Sequence, residues 1–327
     1  MESLGCSSEK CELPKVYLGG LDLSKSGTGS WAVARAEVAR ALANYGGFEV
    51  VSDGIKPEMQ DELFGRVMPE VFMESNLRGP TLLNYDGAWI QRDAEILPFK
   101  SLKVTDPVSV AAVHECATNI WPHGNEIFCN NIWSYANQMK GLMQIIHKMV
   151  LESLELEHHY GSHLDSLQYS LRLSEYSIDE NNEEDKVVIP PHADPNFVSI
   201  ICQDKKGLEV EASTGEWMEA PTAPNSFTVL LGEIFTAWTN GVFRAPKHRV
   251  RTEQNAKRRS AIFNAFPSLS EEIMLETPHE LVDEKHPLLF NPFNYYNYIK
   301  FRHSDEGEKH KNVLEAYCGV KPPILTA

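Results

Sequence analysis

The dominant spacing of apolar positions along this chain shifts from about 3.6 to 2 near residue 155. Before that point the repeat is helical. In "SWAVARAEVARALANYG", Trp31, Val33, Ala34, Val38 and Leu42 recur at helical steps, with Ser30 as the expected N-cap and Gly46 or Gly47 as the stop. The short runs "KVYLGGLDLS" and "FEVVSDGI" on either side read as strands, so the chain opens strand, helix, strand. Residues 126–155 carry Ile132, Tyr135, Met139, Leu142, Ile145, Ile146 and Met149 as one stripe, which predicts a single long helix with one buried face. Between 56 and 125 the pattern is irregular. A helix is expected near 56–73, a loop or hairpin around "RGPTLLNYDGAW", and another helical piece near 107–120.

Beyond residue 155 the period becomes two. "YSLRLSEYS", "NFVSIICQD", "GLEVEA", "EWMEA", "SFTVLLGEIFTAWT", "KHRVRT" and "RRSAIFNAFP" are short, rich in β-branched and aromatic residues, and separated by Asn, Gly and Pro. Short antiparallel strands at that rate predict a sandwich or barrel. "DENNEEDK" at 179–186 reads as a solvated loop. The aromatic tail "LLFNPFNYYNYIKF", with Phe290, Phe293 and Tyr296, is expected to pack on the barrel or its mouth, each ring more as core than as lid. No repeat or linker cuts the chain. The expectation is one structural unit, with an N-terminal α/β segment at 1–125 covering the barrel and the long helix, barrel core and C-terminal lid segment at 126–327.

Composition narrows the partners. Hydrophobic residues at 42% and charged residues at 23% are ordinary for a globular protein with a sizeable core. A net charge of −16 with no Lys/Arg block excludes nucleic acid and anionic membrane surfaces as expected partners, while a small anionic substrate stays compatible because a pocket's local charge can oppose the global one. The six cysteines are scattered without a CxxC pair, and "MESLGCSSEKCELPK" resembles neither a secretory signal nor a transit peptide. A cytoplasmic monomer is expected.

Chemistry concentrates in "PPHADPNF". On a strand, residues i and i+2 share a face, so His192 and Asp194 are expected to offer an imidazole nitrogen and a carboxylate oxygen to one point. "RAPKHRVR" supplies His248 from a distant strand. Two histidines and one carboxylate with open positions form the facial triad of non-haem Fe(II) oxygenases. Catalytic zinc takes similar ligands, but the HExxH helix of the zinc hydrolases is absent. The next strand begins "RRS": Arg258 and Ser260 share a face, and a guanidinium fork beside a hydroxyl is a receptor for a carboxylate. Arg251, Lys257 and Arg259 are expected at the solvated surface.

"HAD", then "HRV", then "RRS" resembles the plant 2-oxoglutarate/Fe(II)-dependent dioxygenase superfamily, whose HxD, H and RxS pattern lies on a double-stranded β-helix (jelly-roll) core. The likeness spans nearly the whole chain. "WPHGNEIFCNNIWSYANQMKGLMQIIHKMVLESLELEHH" and "LRLSEY" are similar to the subgroup containing the glucosinolate side-chain-modifying dioxygenases and deoxypodophyllotoxin synthase. The resemblance implies a mainly β fold with flanking helices, an N-terminal α/β segment and a long supporting helix. It implies Fe(II) on His192, Asp194 and His248, and 2-oxoglutarate on Arg258 and Ser260, with Tyr176 as a further contact. Dioxygen would be the oxidant and ascorbate a stimulant. Where the superfamily has Asn-x-Tyr before HxD, this chain has Ser174 and Tyr176. Asp194 is kept, which disfavours the halogenase variant. The substrate would be a small apolar or aromatic plant metabolite undergoing hydroxylation, desaturation, ring closure or O-demethylation. Arg172, Asn264 and Phe266, on the same strand faces as Tyr176 and Ser260, are the expected substrate contacts. The alternatives are a 2-oxoglutarate-independent iron oxidase of the same fold and a non-catalytic small-molecule binder.

Overall fold

The computed structural model describes residues 12–73, 99–176, 186–252 and 257–320. The loop or hairpin expected around "RGPTLLNYDGAW" and nearly all of the charged 179–186 segment lie outside them. Among the described residues, eleven strands build the two main sheets: β1 (Lys15–Tyr17), β2 (Gly47–Val51), β3 (Phe99–Thr105), β4 (Leu167–Tyr176), β5 (Lys186–His192), β6 (Val198–Gln203), β7 (Leu208–Glu211), β8 (Trp217–Glu219), β9 (Ser226–Leu231), β10 (His248–Thr252) and β11 (Arg258–Pro267). A small ribbon follows, β12 (Met274–Leu275) with β13 (Phe293–Asn294). The helices are α1 (Gly29–Tyr45), α2 (Pro57–Glu62), α3 (Met68–Phe72), α4 (Val110–Ile120), α5 (Glu126–Ser153), α6 (Tyr160–Asp165), α7 (Glu233–Trp238), α8 (Tyr295–Arg302) and α9 (Val313–Cys318).

The strands form a seven-stranded sheet in the order β1-β2-β9-β6-β11-β4-β3 and a four-stranded sheet in the order β5-β10-β7-β8. This is the double-stranded β-helix. Three strands of the larger sheet, β1, β2 and β3, come from the N-terminal segment, so that segment builds part of the sheet. The alternation of β4, β6 and β11 sorts their side chains by face. Leu171, Leu173, Ile200, Cys202, Ala261, Phe263 and Ala265 join the cluster built on α5 through Ile132, Tyr135, Met139, Leu142 and Ile146. The opposite face, with Ser170, Arg172, Ser174, Tyr176, Ser260, Ile262 and Asn264, looks into a cavity between the two sheets. A smaller apolar cluster of Val188, Ile201, Leu208, Val210, Met218, Leu230 and Val250 ties the smaller sheet to that face.

The first helix starts two residues earlier than its sequence suggests. Thr28, not Ser30, is the N-cap and accepts from the Trp31 amide, because Gly29 already has helical geometry. Gly46 ends the helix at φ 67°, a left-handed conformation that glycine adopts without a Cβ penalty. Val33 is 63% exposed, so the buried stripe is Trp31, Ala34, Val38, Ala41 and Leu42. The expected helix at 56–73 is α2 and α3 joined by a single π turn at Leu63–Val67. "GEIFTAW", expected to continue a strand, is α7: Gly232 breaks the extended run and Glu233 stands in the first turn. In the tail, Phe290 and Phe293 are buried in the core, while Tyr295, Ile299 and Arg302 line the cavity. Among the described residues no helix is long and apolar enough to cross a membrane.

Candidate active site

His192 ends β5 and His248 begins β10, and the two are Cα partners across an antiparallel ladder. The ladder is irregular immediately beyond that pair, where Val250 faces Ile189. Pro190 and Pro191 fall at the irregularity. Neither has an N–H to give to β10, and proline in a sheet is confined to such places. A bulge re-aims its neighbours, and here it turns both imidazoles to one point, with ring centroids 4.2 Å apart.

Asp194 is not on a strand, contrary to the i, i+2 expectation. β5 stops at His192, and Asp194 sits in the segment leading to β6, followed by Pro195, which disfavours helical geometry at the residue before it. What aims its carboxylate is the packing of that turn. The Glu233 amide donates to the Asp194 carbonyl at 2.8 Å and the Ile234 amide to the Asn196 carbonyl at 3.1 Å, so the start of α7 caps the turn from below. A Cβ on Gly232 would overlap the Asn196 backbone, and only glycine permits this approach. From α8, the Tyr295 hydroxyl donates to the Pro195 carbonyl at 2.9 Å and Arg302 Nη2 to the Ala193 carbonyl at 2.9 Å. Arg302 is itself held by Glu233, which also accepts from the Tyr298 hydroxyl at 2.5 Å. Burial pushes the Glu233 carboxyl up, with Arg302 pulling against it.

The three ligand atoms lie within 4.8 Å of one another. Asp194 Oδ1 is 3.6 Å from Nε2 of each histidine. His192 Nδ1 is 2.9 Å from the Pro190 carbonyl, which places the ring proton there and turns Nε2 toward Asp194 as the coordinating nitrogen. Burial and the nearby His192 push the His248 pKa down to about 4, so its imidazole is neutral near pH 7. Burial alone would raise the Asp194 carboxyl, but His248, His192 and the Ser199 hydroxyl outweigh it and hold it below the usual carboxylate range. Ser199 donates to Asp194 Oδ2 and accepts from Asn196 Nδ2 at 2.9 Å. Two imidazole nitrogens and one carboxylate oxygen, converging on a shared cavity, fit a divalent first-row metal. A second trio, His158, His159 and Glu280, also meets the distance condition, but it stands at the surface with His158 58% exposed and does not border the cavity.

Arg258 and Ser260 border the same cavity, 2% and 1% exposed. Arg258 Nη2 donates to Gln203 Oε1 at 2.6 Å, and its guanidinium lies 4.9 Å from the centre of the Tyr176 ring. Its Nε and Nη1, and the Ser260 hydroxyl, have no hydrogen-bond partner. Unmatched buried donors are costly and rare. Three such donor groups converging in a cavity fit the carboxylate of a 2-oxoglutarate-sized acid. Gly207 makes the seat for this arginine: it sits at φ 147°, and a Cβ there would be 2.9 Å from Arg258 Cδ and Nε.

The other sequence candidates divide. Tyr176 is buried against Arg258. Ser174, in the place of the superfamily's Asn, is buried with its hydroxyl 3.2 Å from that of Ser101. Arg172 lines the cavity and donates to Ser101 Oγ at 3.2 Å. Asn264 also lines it, but its Oδ1 accepts from Asn196 Nδ2 at 2.9 Å, which ties it to the network behind Asp194. Phe266 is at the cavity's edge, 8% exposed. Arg259 is not simply solvated, since its Nε donates to Glu175 Oε2 at 2.8 Å. Gln203, Ser199, Asn196, Glu233, Tyr298 and Arg302 were missed by sequence reasoning. Gln203, Glu233, Tyr298 and Arg302 act through partners remote in the chain, which no local pattern shows, while Ser199 and Asn196 act on Asp194 only through the fold of the turn between them.

Residues 161–267 match the family model described as the 2OG-Fe(II) oxygenase superfamily. Among curated relatives, the "probable inactive 2-oxoglutarate-dependent dioxygenase AOP2" of Arabidopsis thaliana is 26% identical over 94% of this chain and 98% of its own. The "probable 2-oxoglutarate-dependent dioxygenase AOP1.2" of the same plant is 28% identical over 94% of this chain and 96% of its own. The crystal structure of the dioxygenase for auxin oxidation in rice superposes with a TM-score of 0.77 at 23% identity, covering 94% of this chain and all of that one, a likeness of fold.

Proposed function

The chain belongs, through residues 161–267, to the 2OG-Fe(II) oxygenase superfamily, and from that premise we propose that it oxidises a C–H bond of a small metabolite. In the hydroxylation form, substrate, 2-oxoglutarate and dioxygen give hydroxylated product, succinate and carbon dioxide, with one oxygen atom entering the product and the other the succinate. Desaturation, ring closure and O-demethylation belong to the same reaction class. The observation that carries the reading is a buried, under-partnered Arg258 and Ser260 in the cavity that also holds the His192, Asp194 and His248 trio. A 2-oxoglutarate-independent oxidase or a simple binder would leave that buried guanidinium without a use.

Fe(II) on His192 Nε2, Asp194 Oδ1 and His248 Nε2 would supply dioxygen activation coupled to decarboxylation of 2-oxoglutarate. The chain's own residues do the rest. Arg258 and Ser260 bind the distal carboxylate of the keto acid and so set how far its reactive end extends toward the trio. The Pro190 carbonyl keeps the His192 tautomer, and Ser199 keeps Asp194 from rotating. Ile189, Ile201, Leu208, Val250 and Ile262 wall the cavity and exclude water from the reacting atoms.

The test is aerobic incubation with Fe(II), 2-oxoglutarate and a plant metabolite fraction, with succinate and substrate mass followed together. The expected result is succinate release matched by gain of one oxygen, loss of two hydrogens or loss of a methylene in one metabolite. Oxidation that proceeds without 2-oxoglutarate would contradict the reading.

A further inference from the structure

The larger sheet lays its cavity wall in rows of cross-strand partners from β6, β11 and β4. Gln203, Ser260 and Ser174 form the row at the keto-acid end, Ile201 and Ile262 begin the next, and Ser199, Asn264 and Ser170 form the one after. The wall thus turns polar again beyond the two isoleucines, and Asn264 and Ser170 border the cavity there. Polar groups on such a wall are costly unless they have partners, so the question is what Asn264 serves.

The direction of the hydrogen bonds around Asn264 is set from the metal trio. A carboxylate only accepts, so the Ser199 hydroxyl gives its single proton to Asp194 Oδ2. Ser199 Oγ must then accept, and Asn196 Nδ2 donates to it at 2.9 Å. The other Nδ2 hydrogen of Asn196 goes to Asn264 Oδ1, also at 2.9 Å. Ser199 Oγ lies 3.0 Å from the same Oδ1, but its proton is already held by the carboxylate. Turning the Asn264 amide over would set its NH2 against the NH2 of Asn196, so the network fixes which way it faces. Asn196 keeps its own orientation although that leaves its Oδ1 buried without a partner. Asn264 therefore turns Nδ2 away from the network. That nitrogen has no hydrogen-bond partner among the described residues, and the cavity is the space its residue borders.

We propose that Asn264 orients the substrate: its Nδ2 donates to a carbonyl or ether oxygen of the substrate and so holds a neighbouring C–H bond toward the metal trio. This rests on the oxygenase reading above and gives it a substrate class, an oxygenated molecule whose acceptor lies near the carbon to be oxidised. An NH2 carries two hydrogens and no lone pair, which suits an oxygen that only accepts. The amide is held from behind before any ligand arrives, so little freedom is lost when it binds. The same chain of bonds ties it to the carboxylate of the trio, which keeps the anchor beside the chemistry. It stands apart from the keto-acid receptor, because Asn264 and Ser260 are four residues apart on β11, about 13 Å along the strand.

The experiment takes the metabolite that the wild type consumes from a plant extract with Fe(II) and 2-oxoglutarate, purifies it, and locates the oxidised carbon by mass spectrometry and NMR. A carbonyl or ether oxygen is expected within a few bonds of that carbon. Two variants follow: Asn264→Leu, of similar volume, and Asn264→Asp, which keeps the acceptor for Asn196 and removes the donor from the cavity. Each is expected to raise the KM for the metabolite about tenfold or more, with a smaller change in kcat and an unchanged KM for 2-oxoglutarate. Anaerobic ultrafiltration of the iron- and 2-oxoglutarate-loaded variants should show the same loss of metabolite retention, a readout independent of turnover. Both should keep the anaerobic iron–2-oxoglutarate absorption band, which a residue serving only to support Asp194 would not. A metabolite without such an oxygen, wild-type KM in either variant, a raised KM for 2-oxoglutarate instead, or a lost band would overturn the inference. So would a wild type that shows the band yet neither consumes nor retains an oxygenated metabolite. With the band intact in the wild type, the oxygenase reading survives each of these results. A wild type with neither band nor 2-oxoglutarate-dependent consumption removes that reading, and the inference with it.

Discussion

Replacing Arg258 with Met separates the cost of a binding group from its use. In the ligand-free protein the arginine keeps Nε and Nη1 buried without partners. At about 1–3 kcal/mol for each unmatched donor, their removal relieves roughly 2–6 kcal/mol. Against this, the variant loses the 2.6 Å bond to Gln203, about 1.5–3 kcal/mol for a charged group. It also loses the guanidinium contact with Tyr176, about 1–2 kcal/mol when desolvated. The two ranges overlap, so ligand-free stability is expected within about 3 kcal/mol of wild type, although a fully buried residue has been changed. Binding has no such compensation. Two charge-assisted bonds to a carboxylate, about 3–6 kcal/mol together, correspond to a loss of roughly 10²- to 10⁴-fold in 2-oxoglutarate affinity. Urea unfolding of the metal-free protein and anaerobic calorimetric titration of the Fe(II)-loaded protein measure the two quantities. A variant that unfolds several kcal/mol more easily yet binds 2-oxoglutarate as tightly as wild type would show that Arg258 is a core residue, and the receptor assignment would fall.

Ser199→Ala removes the hydroxyl that steadies Asp194 and is expected to weaken Fe(II) affinity by roughly 10- to 100-fold in a chelator competition, with little change in unfolding; unchanged affinity would refute that role. Gly207→Ala, which forces a Cβ against the Arg251 carbonyl and the Arg258 side chain, should raise the KM for 2-oxoglutarate at least tenfold, and a variant with wild-type KM would show that the seat can adjust. The buried pair His147 and His163, with Nδ1 and Nε2 2.8 Å apart, predicts an acid-side loss of stability. Burial lowers both, His163 to about 4, so the pair folds neutral and its contribution is fully present above the ordinary histidine value near 6.5. It is lost as pH falls from there toward 4, at about 3 kcal/mol for His163. His163→Gln should flatten the unfolding free energy over that window relative to wild type, and parallel curves would refute the assignment.

The parts legible in the sequence were those whose physics is local. The α5 stripe announces itself because one face is buried along its whole length, and β4, β6 and β11 because their outer faces pack on that helix. His192, His248, Arg258 and Ser260 could be placed because strand periodicity fixes which side each takes. The edge strand β3 was not seen. On its cavity-side face Lys103 lines the pocket and Ser101 bonds Arg172 and Ser174, so "FKSLKVT" lacks the apolar run expected of a strand beside a core. Asp194 was placed on a strand because nothing in "HADP" reveals that α7 and α8 grip the turn through backbone carbonyls. The Glu233, Tyr298 and Arg302 cluster joins residues about 65 positions apart, and only the folded chain shows it.

The central claim is that His192, Asp194 and His248 hold an iron beside which 2-oxoglutarate chelates. Anaerobic addition of 2-oxoglutarate to the Fe(II)-loaded protein tests it most directly. The account predicts a weak visible charge-transfer band in the wild type that is absent from His192→Ala, Asp194→Ala and His248→Ala. No band in the wild type, or a band of wild-type strength in those three variants, would contradict it.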